Sequence, residues 1–211
     1  AALIENAGNG DMTVGGSVQG PLVSLQNQTY DIEAPRYVAE SNDLIILNLI
    51  RKDAPSANKN GGLTVSGNIN GGQVYIQNAG AKGITTSGDI TGASSVNITN
   101  DAGNINLASG TINSSQVVVS NSNQAGSLTT NANINASGIT LIENAGNGDM
   151  TVGGNVQGSI VSLQNQTYDI VTPRLSGNDL ILLDVNRVDA PSSNTNGGLI
   201  LNGNVAGSLV Y

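Results

Sequence analysis

The chain has no cysteine, histidine, tryptophan or phenylalanine. Without histidine and cysteine there is no zinc site of the nitrogen and sulfur kind, no thiol nucleophile, no Ser-His-Asp triad, no haem ligand and no disulfide. Basic residues are scarce too. There are 7 Lys and Arg against 15 Asp and Glu, a net charge of −8, so few phosphates can be neutralised and neither nucleic acid nor an anionic membrane surface is an expected partner. No apolar run approaches the roughly 20 residues of a membrane-spanning helix. The residues after Ala1 form neither the charged n-region nor the apolar h-region of a signal peptide, so any targeting segment is expected outside this sequence. No cofactor is implied. For calcium, Asn9-Gly10-Asp11 and its copy Asn147-Gly148-Asp149 hold too few carboxylates, and no GGxGxD nonapeptide occurs.

What is abundant is glycine, at 28 residues, with a comparable load of Asn and much Ser and Thr. Such a composition suits disorder unless the apolar residues are ordered along the chain. They are: Val, Ile and Leu recur at regular intervals, and a chain with few charges and many β-branched residues favours strands.

A long repeat organises the chain. LIENAGNGDMTVGGSVQGPLVSLQNQTYDI, from Leu3, returns from Leu141 with two adjacent differences and one isolated one, at an offset of 138. Arg51, Asp53 and Pro55 return as Arg187, Asp189 and Pro191, at an offset of 136 after a two-residue deletion. The copies span 3–75 and 141–211, with 76–140 completing the first unit, and the second reaches Tyr211, the counterpart of Tyr75. The expectation is one continuous segment, 1–211, of a longer array whose partners are further copies of the same repeat.

A shorter period runs inside each copy. Leu63, Val65, Gly67, Ile69, Val74, Ile76 and Asn78 set the template, which recurs from Met12 to Asn27, from Ile84 to Asn100, from Ile105 to Asn121, from Leu128 to Asn144 and from Met150 to Asn165. Alternate residues of a strand face one side, so the pattern puts one apolar file inward and Ser, Thr, Asn and Gln outward. The expected fold is all-β, a right-handed parallel β-helix of about 20 to 23 residues per turn, its turns about 4.8 Å apart. A narrow interior filled by Val, Ile and Leu explains the missing aromatics. Gly16, Gly67, Gly88, Gly110, Gly154 and Gly203 form a file expected at a corner that needs positive φ. Asn27, Asn48, Asn78, Asn100, Asn121, Asn144 and Asn165 form another, expected to turn inward as a hydrogen-bonded amide ladder. Six rungs from Asn27 to Asn165 predict an advance of about 29 Å per long repeat, and about nine turns in all.

The run from Gly61 to Gly92, GGLTVSGNINGGQVYIQNAGAKGITTSGDITG, resembles the repeat of filamentous haemagglutinin and related large exoproteins exported by two-partner secretion. The likeness lies in the order apolar-x-apolar-x-Gly-x-Ile, a short turn, then Val-x-Ile-x-Asn. It implies a secreted or surface-anchored bacterial filament, extracellular, with adhesion or matrix building as its general role. The long super-repeat is not part of that family's minimal pattern.

Two stretches and their copies break the regular turns: 28–43 and 51–60, then 166–179 and 187–196. They hold six of the seven basic residues and four prolines, Pro35, Pro55, Pro173 and Pro191, so they read as loops projecting from the rod. Tyr30, Arg36, Tyr37, Arg51, Tyr168, Arg174 and Arg187 are the candidate contact residues, for a cell-surface glycan or a neighbouring fibre. The competing reading pairs Arg36 and Arg51 with Asp31, Glu33 or Asp53 to close the loops. Catalysis by a polysaccharide-cleaving β-helix requires carboxylates paired with each other or with Lys or Arg. Asp89 and Asp101 lie one per turn without a basic neighbour, so no catalytic residue is expected. An ice-binding face would need outward Thr at every turn, and Thr85, Thr91 and Thr129 do not supply one. The expected role is a non-catalytic shaft, with a glycan-binding or glycan-cleaving β-helix and a lateral packing module as alternatives.

Overall fold

A computed structural model describes residues 1–6, 8–27, 60–123, 125–165 and 197–211. They form strands and turns only. In chain order the strands are β1 (Ala2–Asn6), β2 (Met12–Val14), β3 (Val18–Asn27), β4 (Gly62–Val65), β5 (Ile69–Asn78), β6 (Gly83–Thr86), β7 (Ile90–Asn100), β8 (Ile105–Leu107) and β9 (Thr111–Asn121). There follow β10 (Leu128–Thr130), β11 (Asn133–Asn144), β12 (Met150–Val152), β13 (Val156–Gln157), β14 (Ile160–Asn165), β15 (Leu199–Leu201), β16 (Val205–Ala206) and β17 (Leu209–Val210).

Each turn of chain supplies one short and one long strand. The short strands stack in the order β2, β4, β6, β8, β10, β12, β15, a seven-stranded sheet, and the long ones form a second sheet beginning β1, β3, β5, β7, β9, β11. Every pairing is parallel. The protein is thus a β-solenoid of about 22 residues per turn, with seven coils among the described residues where about nine turns are expected from the sequence.

Register follows the apolar template. Leu63 pairs with Ile84, Ile84 with Ile105, Leu128 with Ile105 and with Met150, and Met150 with Leu199, so like stacks on like. Ile76, Ile98, Leu107 and Val119 are fully buried between the sheets. Burying one such side chain stabilises by about 1.5–3 kcal/mol. Thr86 and Thr130 fill inward positions that Val holds in other coils, and Thr130 returns its hydroxyl to the Ala132 carbonyl at 3.4 Å.

The glycine file has a different cause from the expected positive φ, which only Gly110 of the six shows, at +92°. A Cβ on Gly67 would collide with the carbonyl oxygen of Gly16 in the coil beneath, and one on Gly154 with that of Ala132. Glycine is required because two main chains approach closely, not because the backbone bends into the left-handed region. Gly110 is the exception because the link from Leu107 to Ile112 is one residue longer than that from Thr86 to Ile90.

Corners are closed by polar side chains that reach the next coil. Asn68 accepts from the Asp89 N–H at 3.0 Å, Asp89 from Thr111 at 2.9 Å, Asn133 from Asn155 at 3.0 Å and Asn155 from Asn204 at 3.1 Å. At the opposite corner Asn104 accepts from Ser127 at 2.9 Å and Asp149 from Gly198 at 2.8 Å. These bonds satisfy main-chain donors where strand pairing lapses.

One departure concerns the outward face of the long sheet. Ser24, Gln26, Leu141, Glu143 and Ser162 point away from the core yet are buried, all on strands at or beside the places where 28–59 and 166–196 branch off. Gln26 donates to Ser24 at 2.9 Å, and Gln164 to Ser162 at 2.9 Å.

Candidate functional site

The most regular chemical feature is a file of asparagine at the corner after each long strand. Asn6 donates from Nδ2 to Asn27 Oδ1 at 2.8 Å, and Asn27 to Asn78 at 3.0 Å. Asn78 donates to Asn100 at 2.7 Å, Asn100 to Asn121 at 3.1 Å, Asn121 to Asn144 at 3.1 Å and Asn144 to Asn165 at 2.9 Å. All amides point the same way along the rod. Second protons go to nearby carbonyls: Asn78 to Gly80 at 2.8 Å, Asn121 to Ser127 at 3.1 Å and Asn144 to Gly148 at 3.2 Å. Asn27, Asn78, Asn100, Asn121 and Asn144 are at most 1% exposed, so each bond is made in a dry setting where leaving it unmade costs about 1–3 kcal/mol.

This file differs from the sequence expectation at two places. No rung stands between Asn27 and Asn78: β3 pairs with β5 from Val18–Ile69 to Asn27–Asn78, so Asn27 bonds directly to Asn78, and Asn48, expected as the rung after Asn27, lies outside the described residues. The long repeat advances five rungs, about 24 Å rather than about 29 Å. Conversely, Asn6 is a rung that the template misses, although its counterpart in the second copy, Asn144, belongs to the file.

The same corner carries both long inserts. Asn165, the last strand residue before 166–196, donates to the Gly198 carbonyl at 2.9 Å, on the far side of that insert. The ladder thus ties together the described residues on either side of 166–196. Tyr30, Arg36, Tyr37, Arg51, Tyr168, Arg174 and Arg187 all fall outside the described residues, as do the loop stretches 28–43, 166–179 and 187–196 and all of 51–60 but its last residue.

A second feature lies on the outer face of the short sheet. Thr13 pairs with Thr64, Thr64 with Thr85, Thr85 with Asn106, Asn106 with Thr129 and Thr129 with Thr151, so five threonines share one outward file. Thr85 and Thr129 stand in this file with Asn106 between them, so threonine does not occupy every turn, and Thr91 lies in the other sheet, between Asn70 and Asn113. Ile200 stands at its end, beside Thr151.

Beside this file, Lys82 Nζ meets Asp11 Oδ2 at 2.7 Å, and the Gly62 N–H donates to Asp11 Oδ1 at 2.9 Å. Lys82 first, and then the Gly62 N–H, hold the Asp11 carboxyl below its ordinary value of 3.8. Glycine at 62 leaves room for the lysine stem, since a Cβ there would stand 2.8 Å from Lys82 Cβ. With Thr13, Thr64 and Thr85 the pair rims a shallow depression of about 220 Å³. Both charged side chains are more than half exposed, so the pair stabilises little. Among the described residues no three acidic side chains gather to hold a cation. No sequence signal marks this pair, whose members are 71 residues apart and meet only through stacking.

Comparison with protein-family models, with curated proteins and with solved structures returns no match for this chain.

Proposed function

We propose that this chain is a segment of the shaft of a long secreted or cell-surface bacterial fibre or adhesin, built from tandem repeats and without a catalytic role of its own. One observation carries the reading: the coil repeats in register across both copies, and the asparagine ladder runs unbroken past the point where 28–59 departs. A stack in which each coil pairs with the next is stiff along its axis and exposes strand edges only at its two ends. The resemblance of Gly61–Gly92 to haemagglutinin-type repeats supports an extracellular setting. Contacts with glycans or neighbouring fibres fall to the inserts, which recur at one corner about 24 Å apart.

Cryo-electron microscopy of the native, unproteolysed material tests this reading. The expected result is long fibres with a layer line at about 4.8 Å and a modulation at about 24 Å. Compact particles would overturn it.

A further inference from the structure

The chain holds five Asn-x-Ser/Thr triplets in which x is not proline: Asn27-Gln28-Thr29, Asn97-Ile98-Thr99, Asn113-Ser114-Ser115, Asn135-Ala136-Ser137 and Asn165-Gln166-Thr167. That triplet is the acceptor of N-linked glycosylation, a modification of secreted and surface proteins. The coil sorts the five, because a sugar needs a side-chain amide that reaches solvent and can spare a proton.

The first and last triplets begin on rungs of the ladder. Asn27 is fully buried and donates from Nδ2 to Asn78 at 3.0 Å. Asn165 donates to the Gly198 carbonyl at 2.9 Å and to that of Gly148 at 3.4 Å, and accepts from Asn144 at 2.9 Å. A sugar on either amide would take the space and the proton that the stacking uses.

The other three lie on the outer faces of the long sheet. Asn97 and Thr99 are half-buried in a fully paired stretch, Asn97 between Tyr75 and Val118 and Thr99 between Gln77 and Ser120. Asn135 is half-buried too, and its Nδ2 is engaged, donating to Asn113 Oδ1 at 3.0 Å. Only Asn113 is both exposed and without a hydrogen-bond partner at Nδ2 among the described residues.

The backbone around Asn113 adds an independent observation. Pairing of β9 lapses at Ser115 on both sides: with β7 it resumes at Ser95–Gln116, and with β11 it breaks after Ser114–Ala136 and resumes at Gln116–Ile139. Ser115 is exposed at this irregularity, its hydroxyl donating to the Ala93 carbonyl at 3.2 Å. An enzyme can therefore reach the Asn113 amide and the Ser115 hydroxyl without opening a strand pair. Modification would also leave the stack as it is, since it replaces one proton of Nδ2 and keeps Oδ1, the acceptor that Asn135 uses.

We propose that Asn113 carries an N-linked glycan, with Ser115 as the hydroxyl that marks it for the transferase. The donor is a glycosyl diphosphate. Nδ2 attacks the anomeric carbon, the new C–N bond forms as the bond from that carbon to the diphosphate oxygen breaks, the diphosphate leaves with the electron pair, and the Nδ2 proton passes to a base of the transferase. No oxidant or reductant is needed.

Peptide mass spectrometry tests this on the native material and on Ser115→Ala, Ser115→Thr and Asn113→Gln made in the organism that produces it. The expected result is a sugar on the peptide that holds Asn113, lost from Ser115→Ala and Asn113→Gln, kept in Ser115→Thr, and missing from Asn27 and Asn165. Equal strand content by circular dichroism separates loss of the sugar from loss of the fold. One or a few identical sugars point to a nucleoside diphosphate donor and a preassembled oligosaccharide to a lipid-linked one, and both support the proposal. An unmodified Asn113 in the native material, a sugar that survives Ser115→Ala, or a sugar on Asn27 or Asn165 overturns it. Compact particles glycosylated at Asn113 would overturn the shaft reading and leave this proposal standing, so the two are judged separately.

Discussion

The coil of β4 and β5 and the coil of β15 to β17 are near copies in sequence and opposites in environment. Leu63 and Leu199 are equivalent residues of the two repeats, yet one is 1% exposed and the other 45%. In a globular core a side chain is buried by elements from all parts of the chain. Here it is buried by the coil above and the coil below, so the same residue is core or edge according to its neighbours. Stability should therefore depend on position along the stack more than on residue type.

The widest gap is expected between Leu63→Ala and Leu199→Ala. The first removes a sealed side chain between two coils and should cost about 2–5 kcal/mol. The second should cost about 0.5 kcal/mol or less, read by chemical denaturation of both variants. Equal losses would mean that burial is not set by stacking.

The glycine file gives the next contrast. Gly67→Ala sets a Cβ against the Gly16 carbonyl and should cost about 1–3 kcal/mol, whereas Gly16→Ala has open space and should be close to neutral. Thermal unfolding of the pair measures it. A smaller difference is expected in the ladder. Asn100→Ala strands the Asn78 donor and the Asn121 acceptor, at about 1–3 kcal/mol, while Asn6→Ala breaks one partly buried rung and should fall at the low end of that range.

The smallest effect is electrostatic. Lys82 and the Gly62 N–H depress the Asp11 carboxyl in the folded state, so its contribution is present above about pH 3.8 and is lost as the pH falls through the lower folded value. Carboxyl chemical shifts followed by NMR should show Asp11 titrating at higher pH in Lys82→Ala than in the parent chain. An unchanged midpoint would mean that the pair is not formed in solution.

The sequence pattern carries most of the fold because inward files recur in every described coil: the apolar template positions pair with one another, Met12 with Leu63, Leu63 with Ile84 and Val161 with Val210. The miscounted rung shows the limit of that logic. Asn48 follows an apolar run as the other members of the file do, and periodicity alone does not show which coils are neighbours. The glycine file was legible by position but not by cause, since the approach of two carbonyls is a property of stacking. Thr13, Thr64, Thr85, Thr129 and Thr151 were all visible as outward residues, but their alignment needs the register. Asp11 and Lys82 left no trace in the pattern because their meeting depends on two coils separated by the 28–59 insert.

The central claim is that no rung lies between Asn27 and Asn78, so that the coil of Thr13 lies directly beneath that of Thr64. The absence of native cysteine makes this testable by a single cross-link. In Thr13→Cys, Thr64→Cys double-variant protein, adjacent coils place the two Cα atoms about 4.8 Å apart, within the span a disulfide bridges. An intervening rung would part them by about 9.6 Å, beyond that span. Thr64→Cys with Thr85→Cys, on adjoining strands β4 and β6, serves as the positive control. Rapid formation of both disulfides on mild oxidation is the predicted result. A Thr64–Thr85 control pair that closes while the Thr13–Thr64 pair stays reduced would contradict the account.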